Sequence, residues 1–227
     1  WLSDHLVRLR QGANVLGIPV PFDDQAIGQG LASLILAREL TEASLRLTLT
    51  RGPSRVRGLW PSAQPAMPTL LATLSPFTSV ERPAVKLVIA QNVRRNEHSP
   101  LSRIKSLNYG DNIVARREVE ARGADDCLLM NGAGRVVCSS VGNIFARIKG
   151  EWRTPPIADG LLAGIARQYL IPLLEAREAV LTLDDIAHVE AMFLTNSLGL
   201  SAVGSVEGRV LEDISGWLTG LSRILIA

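Results

Sequence analysis

A stretch rich in Pro, Ser and Thr runs from Gly52-Pro53 to about Pro83 and separates two parts of the chain that are patterned differently. Proline fixes φ and has no N–H to donate, so such a stretch interrupts helices and central strands. It reads as a loop and linker between two domains, not as part of one continuous core. The chain has 227 residues, enough for two parts that each bury a core. The expected division is a smaller N-terminal domain over 1–76, a linker over 77–83 and a larger C-terminal domain over 84–227.

Before the break, Leu6, Leu9, Ala13 and Leu16 recur at helical spacing, and Ser3 is the expected N-cap of a helix over 3–16. A second helix is predicted from Asp23 or Asp24 to Ala37, with Ile27, Leu31, Leu34 and Ile35 on one face. In SLRLTLT, Leu45, Leu47 and Leu49 alternate with Arg46, Thr48 and Thr50, the period of a strand with one buried face. After the break, AVKLVIA reads as a strand, and a helix over about 111–122 stops at Gly123. Two hairpins follow, turning at Asn131-Gly132 and at Lys149-Gly150. A helix begins near Gly164 and is expected to be kinked or interrupted by Pro172; Asp184 is expected to cap a short helix before the strand AMFLTN. The last helix has Ile214, Trp217, Leu218, Leu221, Ile224 and Leu225 on one face. The fold class is α+β.

Composition excludes several functions. A hydrophobic fraction of 47% with 20% charged residues is that of a globular protein, not a disordered one. A net charge of +2 offers no electrostatic case for nucleic acid or an anionic membrane. No apolar run reaches the ~18 residues of a membrane span. Cys127 and Cys138 do not form a disulfide framework, and nothing resembles a secretory signal, so a reducing, cytoplasmic setting is expected. The cysteines, His5, His98 and His188 lack metal-ligand spacing. No nucleophile elbow, Walker loop or dinucleotide fingerprint occurs.

Three places can carry chemistry. Lys105, in RIKSLNYGDN, is either a solvated surface lysine or an imine-forming nucleophile; Arg94, Arg95 and Arg103 are its cationic neighbours in sequence. Gly164, in DGLLAGIARQ, opens a helix whose free amides at Ile165 and Ala166 suit a phosphate, or it is an ordinary helix start. Thr195, Asn196 and Ser197 end an apolar strand, as turn formers or as anion ligands.

Taken in order, DHLVRL, TLTRG, VRRNEHSPLSRIKSLNYGDN, RGADDCLLMNGAGRVV, SSVGNIF, TPPIADGLLAGIAR and FLTNS resemble the fold-type IV pyridoxal-phosphate (PLP) enzymes. That group includes branched-chain aminotransferase, D-amino-acid aminotransferase and aminodeoxychorismate lyase. The resemblance spans nearly the whole chain and implies a two-domain, D-amino-acid-aminotransferase-like fold. It also implies that Lys105 carries the cofactor as a Schiff base and shuttles a proton as general base and acid. Arg8 matches the arginine that grips the cofactor phosphate, Ile165 and Ala166 the helix-start cradle, and Asn196 and Ser197 the strand-end ligands. Arg55 and Arg57 stand where some relatives bind the substrate carboxylate. Asn143, in NIF, matches a structural position.

The sequence departs from the family's pattern in three places. GITR reads GIAR, which loses one hydroxyl while keeping the backbone donors. The family's N-terminal strands have no counterpart before Trp1, so the expectation is a truncated chain or a degenerate enzyme. Cys138 occupies the position of a glutamate that faces the pyridine nitrogen, and a thiol is mostly neutral at pH 7. The implied activity is amino-group transfer between an amino acid and a 2-oxo acid. A PLP lyase releasing pyruvate and a silent PLP-binding relative stand as alternatives, and relatives of this kind are homodimers.

Overall fold

The computed structural model describes residues 1–38, 40, 42–54, 57–58, 67–78 and 82–226. These fall into two compact units, Trp1–Val80 and Glu81–Ala227.

The first unit opens with helix α1 (Leu2–Val15). The His5 amide already bonds the Trp1 carbonyl at 3.2 Å, so Ser3 lies inside the first turn and does not cap it, contrary to expectation. Helix α2 (Asp24–Leu36) is capped by Asp23, whose carboxylate accepts from the Ala26 amide at 2.7 Å. Strand β1 (Ala43–Thr50) pairs antiparallel with β2 (Thr69–Pro76), setting Leu45 opposite Leu74, Leu47 opposite Ala72 and Leu49 opposite Leu70. The stretch read as loop to Pro83 therefore contains a strand. Its alternating apolar residues were masked by Pro68 and Pro76, which stand just outside and at the end of the strand, where proline is tolerated. Leu6, Ile27 and Leu31 form this unit's buried core, with Leu9, Leu45, Leu47, Leu70 and Ala72 half-buried against them.

The second unit is built on a nine-stranded sheet. Strand β3 (Val85–Ile89) is followed by helix α3 (Gly110–Ala121), which ends at Gly123 in the left-handed region (φ 63°) as expected. Strands β4 (Asp126–Met130) and β5 (Val136–Ser139) form the first hairpin. Its turn is longer than the two residues expected: the Asn131 amide donates to the Arg135 carbonyl, Asn131 Oδ1 accepts the Arg135 amide, and Gly134 takes the positive φ of 76°. Strands β6 (Asn143–Ile148) and β7 (Glu151–Thr154) form the second hairpin. Here Lys149 and Gly150 both have positive φ (53° and 77°), the two-residue turn that matches strand twist.

Helix α4 (Ile165–Leu173) accommodates Pro172 by ending one residue later. After β8 (Arg177–Glu178), helix α5 (Leu183–Ala187) is capped by Thr182 in a reciprocal box with Asp185, not by Asp184. Strands β9 (Ala191–Asn196), β10 (Gly199–Val206) and β11 (Arg209–Val210) precede the last helix, α6 (Ser215–Ile226). Strand order is β5-β4-β3-β10-β9-β6-β7-β8, with β11 on β10; β3 runs parallel to both β4 and β10. On one side of the sheet Phe145 stacks on Phe193 at 4.9 Å and Trp152 on Trp217 at 5.3 Å, and Leu218 and Leu221 of α6 close this cluster.

Candidate active site

The turn from β5 to β6 is short, held by Ser139 Nα to the Gly142 carbonyl and by the Gly142 amide to Ser139 Oγ, each at 2.9 Å. Three separate segments reach it. Asn112 Nδ2, near the start of α3, donates to the Ser140 carbonyl at 2.5 Å. Asn196 Nδ2, at the end of β9, donates to the Val141 carbonyl at 3.4 Å. Asn143 Nδ2 donates to the Leu162 carbonyl at 2.9 Å, on the approach to α4. The second of these contacts needs Gly142, because a Cβ there would lie 2.9 Å from the Thr195 carbonyl oxygen. The sequence positions that could carry chemistry in the second unit therefore converge on residues 139–143.

Lys105 lies between a short 3-10 turn at Pro100–Ser102 and α3. Its side chain is exposed, and Nζ donates to Tyr109 Oη at 3.0 Å while standing 5.5 Å from that ring's centre. A groove of about 440 Å³ runs along the α3 face that begins with Tyr109 and Asn112, with Val141 also lining it. The lysine's partner thus borders open space and not packed core. Arg95 fixes the lysine's segment from behind: Nη2 donates to the Ser102 carbonyl at 2.7 Å and Nε to the Gly160 carbonyl at 3.1 Å.

At the start of α4, Gly164 takes φ −71° and ψ 136°, with no side chain capping the helix. The first amides of a helix have no intrahelical acceptor, so those of Ile165 and Ala166 remain donors, at the positive end of the helix dipole. Thr195 sits directly across from Asn143 in the ladder; it is buried, and its Oγ1 has no hydrogen-bond partner. Cross-strand partners project from the same face of a sheet, so this unspent hydroxyl emerges beside the side chain that contacts Gly164. Ser197, two residues on, is exposed in the turn between β9 and β10, and Asn196 Oδ1 accepts the Leu198 amide at 2.9 Å within it.

Cys138 is buried at the end of β5, packed with Cys127, Leu129 and Val137. Burial pushes its thiol up to about 11, with the nearby Arg95 guanidinium opposing and Asp126 reinforcing the rise. Cys127 is pushed to about 12, again by burial first and by Asp126 next. Both are neutral thiols at pH 7.

Lys105, Cys138, Ile165, Ala166, Asn196 and Ser197 all belong to the second unit; of these, Asn196 bonds to the 139–143 turn and Cys138 directly precedes it. Arg8 and Arg57 belong to the first unit. Arg8 is part-buried on α1 with Nη2 3.4 Å from His5 Nδ1, Arg57 is exposed, and Arg55 lies outside the described residues. Sequence reasoning missed Tyr109 and Asn112 as functional neighbours, although their spacing after Lys105 places them on one helical face. It gave Arg95 no specific role; that role depends on carbonyls from distant segments. Among the described residues no group of His, Cys, Asp or Glu is placed to hold a metal, and no helix is long and apolar enough to cross a membrane.

Comparison with known proteins gives a consistent picture. Residues 1–206 match the family model described as amino-transferase class IV. A Methanocaldococcus jannaschii protein named as a branched-chain-amino-acid aminotransferase is 29% identical over 219 residues, covering 93% of this chain and 75% of its own length. A crystal structure from Legionella pneumophila, described as a 4-amino-4-deoxychorismate lyase, is 30% identical with a TM-score of 0.88, over 99% of this chain and 85% of that one. The PLP form of a Thermobaculum terrenum branched-chain amino acid aminotransferase has a TM-score of 0.90 at 22% identity, over 99% of this chain and 78% of that one.

Proposed function

The chain belongs to the class IV amino-transferase family, and from that membership we propose that Lys105 is the residue through which it holds its cofactor and moves protons. It is a PLP-dependent aminotransferase, acting on an amino acid and a 2-oxo acid. The observation that carries the assignment of residues is the convergence of the Lys105 segment, the start of α4 and the end of β9 on the turn at 139–143.

The residues present fit the cofactor. The α4 start offers amide donors and a cap position free of a Cβ, Thr195 keeps an orphaned hydroxyl on that side, and Lys105 Nζ is exposed. The amides of Ile165 and Ala166, the end of β9 at Asn196 and Ser197, and the Arg8 guanidinium would hold the phosphate. Charge-assisted bonds from an arginine are the strongest of these. When bound, PLP supplies the electron sink that makes bond breaking at the amino acid's α carbon feasible. The protein's own part is acid–base and orienting work. Lys105 Nζ takes the α proton and returns it at the other end of the transfer, and Tyr109 Oη, accepting a hydrogen bond from Nζ, fixes where that nitrogen points. By the family pattern Cys138 would face the cofactor's ring nitrogen, and it would do so as a neutral thiol. Arg57 and Arg55 are the candidates for the substrate carboxylate. The reading includes a homodimer in a reducing, cytoplasmic setting, supported by the family pattern and two free cysteines; sedimentation at micromolar concentration checks the dimer.

A second reading, a lyase releasing pyruvate, is favoured by one specific residue. Cys138 replaces the carboxylate of the aminotransferase pattern, and the 30% identical Legionella structure is described as a lyase. Product analysis separates the two: an aminotransferase makes a new amino acid only when a 2-oxo acid acceptor is supplied, whereas a lyase releases pyruvate from aminodeoxychorismate without one. The lysine assignment is tested by borohydride reduction of the PLP-loaded protein followed by peptide mapping. The pyridoxyl group is expected on Lys105, and its recovery on another lysine overturns the assignment.

A further inference from the structure

We propose that Asn143 is a positioning residue of the phosphate subsite, setting the angle at which α4 presents its free amides. The inference rests on the reading of the α4 start as that subsite. Gly164 has φ −71° and ψ 136°, a conformation open to any L-residue, so its backbone does not call for glycine. Space does. A Cβ at Gly164 would lie 2.1 Å from Asn143 Oδ1, far inside contact distance. The same side chain's Nδ2 donates to the Leu162 carbonyl at 2.9 Å. One buried amide thus bonds the chain before Ala163 and packs closely against it after Ala163, at the two residues that steer it into the helix.

The far end of the brace is equally fixed. Asn143 begins β6 and lies opposite Thr195 in β9, two residues before Ser197. The helix-start wall and the strand-end wall of the subsite are therefore held to one another through this side chain. Hydrogen-bond donors aimed at an anion lose much of their effect when turned away by a few tens of degrees. Asn143 does not need to touch the phosphate to control its affinity.

The test compares pyridoxal phosphate, pyridoxal and inorganic phosphate as ligands of the wild-type protein and Asn143→Ala, by equilibrium dialysis, with melting curves alongside. Pyridoxal lacks the phosphate but keeps every contact of the ring and aldehyde. Asn143→Ala is expected to weaken pyridoxal phosphate and inorganic phosphate about tenfold while leaving pyridoxal within about twofold. Equal weakening of pyridoxal and its phosphate, or no weakening of either, overturns the proposal. A wild-type protein that binds pyridoxal as well as its phosphate overturns the parent reading of the α4 start as well. Should Asn143→Ala fail to fold, Asn143→Ser carries the same test, since it withdraws the side chain from Leu162 without adding charge.

Discussion

In the unit Trp1–Val80 the strands beside the core stay half exposed, whereas in Glu81–Ala227 every residue of β4 and β5 is buried. The first unit's two-stranded sheet leans on Leu6, Ile27 and Leu31 of two helices. The second unit buries both faces of the central strands of a nine-stranded sheet and fills them with Phe145, Phe193, Leu128, Ile144 and Met192, all fully enclosed. The difference teaches where precision is affordable. Donors must be held to within a fraction of an ångström to act on a ligand, and close-packed strands supply that rigidity. The lysine, the helix-start amides and the strand-end loop are all set in the deeply packed unit.

The contrast can be broken most sharply at Lys105. Lys105→Ala is expected to lower turnover by about three to four orders of magnitude with the melting curve unchanged, since its Nζ is exposed and bears on chemistry, not packing. Residual single-turnover activity within tenfold of wild type would move the chemistry elsewhere. Next comes packing itself. Phe193→Ala removes a ring stacked on Phe145 and edge-on to Trp152, and urea titration should show a loss of about 3–5 kcal/mol. Leu31→Ala, in the shallower core, should cost about 2 kcal/mol. Equal costs would erase the distinction between the units. For cofactor binding, Arg8→Ala is expected to weaken PLP by about 2 kcal/mol and Ser197→Ala by about 1, read by dialysis; a reversed order would take Arg8 away from the phosphate.

Cys138 sharpens the comparison from within the packed unit. A carboxylate beside the ring nitrogen favours its protonated form more than a neutral thiol does, by about 1–1.5 kcal/mol. Cys138→Glu should then speed a half-reaction with a good amino donor about tenfold in stopped-flow measurements, and an unchanged rate would clear the thiol of limiting it. The smallest effect expected is a pH dependence. Cys127, raised from 9.0 to about 12, is neutral when folded and ionises when unfolded, so its share of stability is full below pH 9 and declines as pH rises toward 12. At pH 10 the loss is about 1 kcal/mol, and Cys127→Ala should show a correspondingly flatter fall in urea midpoint between pH 8 and pH 10.

Elements whose cause is local were legible in the sequence. The Lys149-Gly150 turn and the Gly123 stop each depend on a few neighbouring residues, and each stands where it was expected. One strand that distant partners make was not. In β10, GLSAVGSV looks like turn material, and it becomes a strand because β3 and β9 pair with it on either side. The same holds at the site. Residue type left Lys105 and the α4 start open until the family resemblance singled them out, and nothing in NIF says that Asn143 reaches Leu162, because that contact exists only once β6 and α4 are brought together. Tyr109 lay between these cases, four residues after the lysine but outside any helix with it, so that the contact depends on the loop that joins them.

The 139–143 turn also bears on how such a protein can be altered. Three of its residues bond to three distant segments at once, and Gly142 has no room for even a methyl group beside the Thr195 carbonyl. An insertion there would shift every register at the site together, with no compensating change available at any single position. In a library scanned for insertions and deletions, this turn should be the least forgiving address in the second unit.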